Sequence, residues 1–203
     1  MANRKGSQRK KKKSLAKDPR ILAAAGVILL AAVLLILFLR SCGLSHRSPE
    51  RIVEALVKAG IRGDEKAMKD CYGVRTEGPA ELQEEVKARI QYYKAHNADR
   101  LSIRDCGRLF EEEDNVCIYV IYDLRLEDGQ DYPCCETFMT QKREGSFYVL
   151  TPEQVTEDMQ ETSSVHYEAF MDTEAYRSYA KEYDTFIRKN PGYEDKIAGK
   201  LKS

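Results

Sequence analysis

Histidine is scarce in this chain, with three residues in 203, scattered at positions 46, 96 and 166. The six cysteines, Cys42, Cys71, Cys106, Cys117, Cys134 and Cys135, never form a CxxC. Both shortages argue against a zinc site, which needs thiolate or imidazole ligands at short, paired spacing. There is no internal repeat, so a solenoid or propeller array is not expected. The basic run Arg9–Lys13 has no interleaved aromatic residue, hence no stacking platform for bases, and no nucleic-acid partner is expected. Net charge is also missing: 33 basic residues balance 33 acidic ones. Finally, residues 21–39 contain no charged, polar or proline residue, and no A-x-A cleavage pattern comes after them.

The last two absences belong together. Residues 1–20 hold nine Lys or Arg and one Asp, so the rest of the chain carries an equal and opposite acidic excess. As a helix, residues 21–39 would rise roughly 28 Å, close to the hydrocarbon thickness of a bilayer. A cleaved signal peptide has a shorter apolar region and a shorter basic start. The reading is therefore a retained transmembrane helix over 21–39, with the basic tail 1–20 in the cytoplasm and the domain outside. A lipoprotein signal ending at Cys42 is the alternative, although Arg40 fits a lipobox poorly. Membrane lipid is accordingly an expected partner, and the expected location is the cell membrane, single-pass, with an extracytoplasmic domain.

After a linker over 40–48, the patterning predicts an α+β domain over 49–160 and a helical tail over 161–203. Ser48 is an N-cap candidate with Pro49 at the first helical position. Ile52, Val53, Leu56 and Val57 make an apolar face, and Gly63-Asp64 breaks and restarts the helix. The "RGD" at 62–64 is thus explained by capping rather than adhesion. A second helix starts at Pro79, with Leu82, Val86, Ile90 and Tyr93 as its stripe. From Asp99 the period changes to that of a four-stranded antiparallel meander, with Asp128-Gly129 as one turn. Leu56, Val86, Ile90, Ile118, Val120 and Tyr148 are expected to share one core. Thr151, Pro152 and Gln154 form a capping-box pattern for a helix. A polar "TSS" gap separates that helix from the next.

The opening "SPERIVEALVKAGIRGDEKAMKDCYG", with the next helix and strands, resembles the nuclear transport factor two-like superfamily. The resemblance covers roughly half the chain and implies a cone-shaped α+β domain with a helix across the sheet. The layout is also similar to the membrane-anchored scaffold subunits of conjugation and type IV secretion channels. The resemblance implies a non-catalytic binding or scaffold protein in a cell-envelope assembly, or else a small-ligand carrier or enzyme that uses the cone. Enzymes of the superfamily place an acid or a His–Asp pair inside the cone, where His96, Asp99, Asp105 and Asp123 are the candidates. In a chain so rich in charge, acids on strands more often face water, so no catalytic residue, cofactor or metal is expected. Cys134 and Cys135 point to opposite faces of a strand and read as one buried thiol and its neighbour. Tyr176, Tyr179, Tyr183 and Phe186 fall on one side of a helix. That stripe reads as packing or as an interaction surface for a protein partner or a second copy of the chain.

Overall fold

In the computed structural model, which describes residues 45–202, the Ser48 hydroxyl accepts the Arg51 N–H at 3.5 Å and starts α1 (Pro49–Arg62). Pro49 occupies the first turn, where its missing N–H has no helical partner to lose. Gly63 ends the helix at φ 65°, a conformation that favours glycine. Asp64 then accepts the Ala67 N–H at 3.0 Å and caps α2 (Glu65–Cys71). Capping therefore accounts for "RGD". The third helix, α3 (Ala80–His96), begins after Pro79 and stops at Asn97, which sits at φ 52°.

The strands β1 (Ala98–Glu112), β2 (Asn115–Leu126), β3 (Asp131–Arg143) and β4 (Ser146–Val149) form an antiparallel sheet in the order β1-β2-β3-β4. Alternation along β2 sets its two faces. Ile118, Val120, Tyr122 and Leu124 are fully buried on the inner face, beneath α1, which packs against all four strands. Leu56, Val86, Ile90, Ile118 and Val120 join one core as expected, but Tyr148 does not. Val149 takes that place, and Tyr148 is half-buried against His46, ring centroids 4.7 Å apart. The one-residue difference puts Tyr148 on the other face of the strand.

Gly60 of α1 lies against the Tyr93 ring of α3. A Cβ at position 60 would stand 2.5 Å from Tyr93 Cε2, and Tyr93 is only 3% exposed. Gly60→Ala should therefore destabilise the domain by about 1–3 kcal/mol, less the ~1 kcal/mol that alanine gains in a helix. Urea unfolding of the two proteins measures the difference.

The capping box after β4 is present, yet it closes only a 3₁₀ turn, Pro152–Gln154. Thr156 then caps α4 (Glu157–Met171), which runs through the expected "TSS" gap. Ser163 and Ser164 are accommodated because their hydroxyls donate back to the Met159 and Gln160 carbonyls, at 2.6 and 2.9 Å. A smaller outer-face core of Phe110, Cys117, Met139 and Leu150 has Leu109, Val155 and Met159 packed against it. α5 (Glu174–Lys189) packs on β3, and α6 (Tyr193–Leu201) packs on α3.

β4 pairs only with Thr140–Arg143, so among the described residues no strand covers the same side of β3 over 131–138. The aromatic stripe of α5 lies against this stretch. Phe186 is buried, while Tyr176, Tyr179 and Tyr183 are half-buried. Phe186 and Tyr183 meet Tyr132 of β3, with ring centroids 5.1 and 6.1 Å apart. Covering the open edge of a strand with a helix removes it from competition with other chains.

The observed architecture is helices packed on a four-stranded antiparallel sheet, and it corrects the membrane-anchored fold. Among the described residues no helix is long and apolar enough to cross a membrane. The transmembrane helix expected over 21–39, the basic tail 1–20 and Cys42 lie outside the described residues. A membrane-lipid partner and a single-pass location thus have no support in the observed structure.

Candidate functional site

α3 presents Glu85, Ala88, Arg89 and Tyr92 along one side, positions three and four apart that stack on a helix surface. Opposite them, the inner face of β3 carries Tyr132, Cys134, Glu136 and Phe138 at every second position. Glu136 is the single charged residue in this alternating set. Between the two elements lies an open pocket of about 360 Å³, lined by Glu85, Ala88, Arg89, Tyr92, Tyr93 and Glu136.

Arg89 organises the pocket. Its Nε donates to Glu85 Oε1 at 2.5 Å and its Nη1 donates to Glu136 Oε2 at 3.0 Å. The guanidinium lies 4.7 Å from the centre of the Phe138 ring. Tyr122 of β2, fully buried, donates its hydroxyl to the other oxygen of Glu136. Tyr72 donates to Glu85 Oε1 at 3.4 Å, and the Tyr92 hydroxyl lies 3.9 Å from Cys134 Sγ. Burial opposes the charge on Arg89, but Tyr72, Glu136 and Glu85 outweigh it and hold the guanidinium protonated. The phenols of Tyr92, Tyr93 and Tyr122 are pushed up, first by burial and then by neighbouring acidic groups, so they remain neutral donors. The result is one fixed cation shared by two carboxylates and walled by neutral rings.

The four acid–base candidates do not converge on this pocket. Asp99 is exposed. Asp105 accepts the Tyr119 hydroxyl at 3.0 Å and the Cys106 N–H at 2.9 Å. Asp123 pairs with Arg104, Nε to Oδ2 at 3.3 Å, and Arg104 also reaches Glu182 of α5. Burial raises the Asp123 carboxyl, against the pull of Arg104 and with the help of Asp131 and Glu182. Asp123 lies in a larger cleft of about 500 Å³ whose other walls include Lys181, Glu182, Thr185 and Lys189. Those four side chains are exposed, and Phe186 is the single aromatic residue among the lining groups, so the cleft offers less aromatic wall than the pocket on α3.

His96 is 5% exposed at the end of α3. Its Nδ1 lies 2.8 Å from the Tyr193 hydroxyl of α6, and its Nε2 is buried without a partner. Tyr92 and Tyr132 flank the ring at 4.6 and 4.7 Å. Burial, with the positive charge of Lys200, lowers its pKa to about 4. An unfolded histidine accepts a proton near pH 6.5, so the unfolded state binds more protons between pH 6.5 and 4. Above pH 6.5 this linkage costs nothing; as pH falls to 4 it removes about 3 kcal/mol of stability. His96→Gln should lose much less between pH 7 and 4, which urea titrations at both pH values will measure.

The five cysteines among the described residues are free. Burial raises every one of these thiols, Cys71, Cys106 and Cys135 to about 12, so none is a ready nucleophile at neutral pH. Cys134 is buried beside Tyr92, and Cys135 is half-buried on the opposite face.

Sequence reasoning missed the Arg89 pocket, although two signals for it were present. Glu85 and Arg89 are four apart on a helix, and Glu136 stands between the uncharged Tyr132, Cys134 and Phe138 on one face of a strand.

No family model matches the chain, and no curated protein matches it. Among solved structures it is similar to a SEC-C motif containing protein from Rhodopseudomonas palustris: 15% identity, 53% of this chain, 78% of that one, TM-score 0.39. An NTF-2 like protein of unknown function from Shewanella oneidensis is similar at 13% identity, over 49% of this chain and 88% of that one, with a TM-score of 0.33. A protein of unknown function from Mycobacterium tuberculosis is similar at 10% identity, over 58% and 83% of the two chains, with a TM-score of 0.35. The narrower resemblance to a membrane-anchored channel scaffold is corrected, since among the described residues no helix is long and apolar enough to cross a membrane. Likenesses at this level supply no ligand, activity or partner.

Proposed function

We propose that the chain is a non-catalytic binding domain that holds a small organic molecule in the pocket between α3 and β3. One observation carries the reading: Arg89, the one cation among the lining residues, is fixed by Glu85 and Glu136, while tyrosine rings form most of the remaining wall. Such a pocket can orient a ligand through a few placed polar groups and hold its body against aromatic surface. Its reactive prospects are poor. Glu136 accepts from Arg89 and Tyr122 at its two oxygens and Glu85 is held beside the Arg89 guanidinium, the nearby Cys134 thiol is raised by burial, and the phenols stay protonated. A general base needs a free, suitably poised group within reach of its substrate.

The test is a fragment mixture incubated with the protein and followed by NMR. Binders should shift the resonances of Ala88, Tyr92 and Tyr93 and be recovered chemically unchanged after prolonged incubation. Turnover of any binder, abolished by Glu136→Gln, would contradict the non-catalytic reading.

A further inference from the structure

We infer that the inner pocket selects a ligand bearing an ammonium group; this rests on the reading of that pocket as a binding site. The lining charges do not balance: Glu85 and Glu136 face Arg89 alone, so the site holds one negative charge in excess. Both donors that reach Glu85, Arg89 Nε and the Tyr72 hydroxyl, go to Oε1. Arg89 spends its Nε and one Nη on carboxylates and lies over Phe138, so an incoming anion would meet a guanidinium already shared between two acids. The side chains of Glu85 and Glu136 are 18% and 29% exposed, reachable by a ligand yet largely withdrawn from water. Partial desolvation strengthens the attraction between such a site and a cation.

The aromatic walls favour the same class. Tyr92 and Tyr93 line the pocket with their rings 5.5 Å apart at 77°. An ammonium group gains from the electron-rich face of a tyrosine, and a carboxylate does not. The volume of about 360 Å³ suits a small amine with one ring or a short chain. No bond is made or broken: the ammonium donates to Glu85 Oε2, the oxygen that neither Arg89 nor Tyr72 uses, within the field of Glu136, while the body of the ligand rests on Tyr92.

Three probes with one body and different heads separate the outcomes: benzylammonium, benzyl alcohol and benzoate, titrated at pH 7 into the full chain. Benzylammonium should bind about tenfold more tightly than either of the others, with shifts at Tyr92 and Tyr93. Glu136→Gln should lower its affinity by about fivefold or more, a clearly larger loss than benzyl alcohol suffers. Glu85→Gln gives the same reading if Glu136→Gln fails to fold. Benzoate or benzyl alcohol binding there as tightly as benzylammonium would overturn the ammonium preference and leave the pocket reading standing. Failure of all three to shift Tyr92 or Tyr93 at millimolar concentration would overturn both.

Discussion

Phe186→Ala should lower the free energy of unfolding by about 3–5 kcal/mol, the range for removing a buried phenylalanine. Phe186 is 6% exposed and stands at the meeting of three elements. Its ring packs edge-on against Tyr132 of β3 at 5.1 Å and Tyr193 of α6 at 5.0 Å. Asn190 also donates to its carbonyl, at 3.0 Å from both backbone and side chain, which closes the end of α5. Loss of the ring should therefore loosen α5 from the open edge of β3 and weaken the seat of α6. Hydrogen exchange should rise first in β3 over 131–138 and in α6. If the aromatic side of α5 instead serves a partner, Phe186→Ala will keep its melting temperature and lose self-association in sedimentation.

Arg89→Ala should cost about 2–4 kcal/mol, below the upper range for a fully buried ion pair because both carboxylates keep some contact with water. The loss has two parts. Glu85 and Glu136 are left as neighbouring acids with no cation between them, and the Phe138 ring loses the guanidinium that covers it. A second change separates these parts. Adding Glu136→Gln to Arg89→Ala removes the uncompensated charge, so the double variant should be more stable than Arg89→Ala alone. Equal stability of the single variant and wild type would mean the ionic cluster contributes nothing to the fold.

Much of this fold is written in short-range signals. Ser48-Pro49, Gly63-Asp64 and Asp128-Gly129 mark their boundaries because each supplies a cap or a turn that few other residues supply. The β-branched and aromatic run over 116–126 announces β2 for the same reason. Other features depend on what lies across the structure. "TSS" reads as a break because serine competes for backbone hydrogen bonds, and only the packing of α4 against the outer face settles it as helix. Tyr148 and Val149 are both suited to a core, and the register of β4 against β3 decides between them. The pocket was less legible still. It needs Glu136 of β3 and Arg89 of α3 to meet 47 positions apart, a pairing that no local pattern specifies.

The most direct test of the binding site is to fill it. Ala88 lies on the exposed rim of α3 and lines the pocket, so Ala88→Trp can occupy the cavity without disturbing the core. Surface changes of this kind usually alter stability by no more than about 0.5 kcal/mol. Titration of wild type and Ala88→Trp with the same bound fragment, by calorimetry, gives the answer. Abolished binding with unchanged unfolding free energy is the predicted result. Undiminished affinity in Ala88→Trp, with resonance shifts at the Asp123 cleft instead, would contradict it.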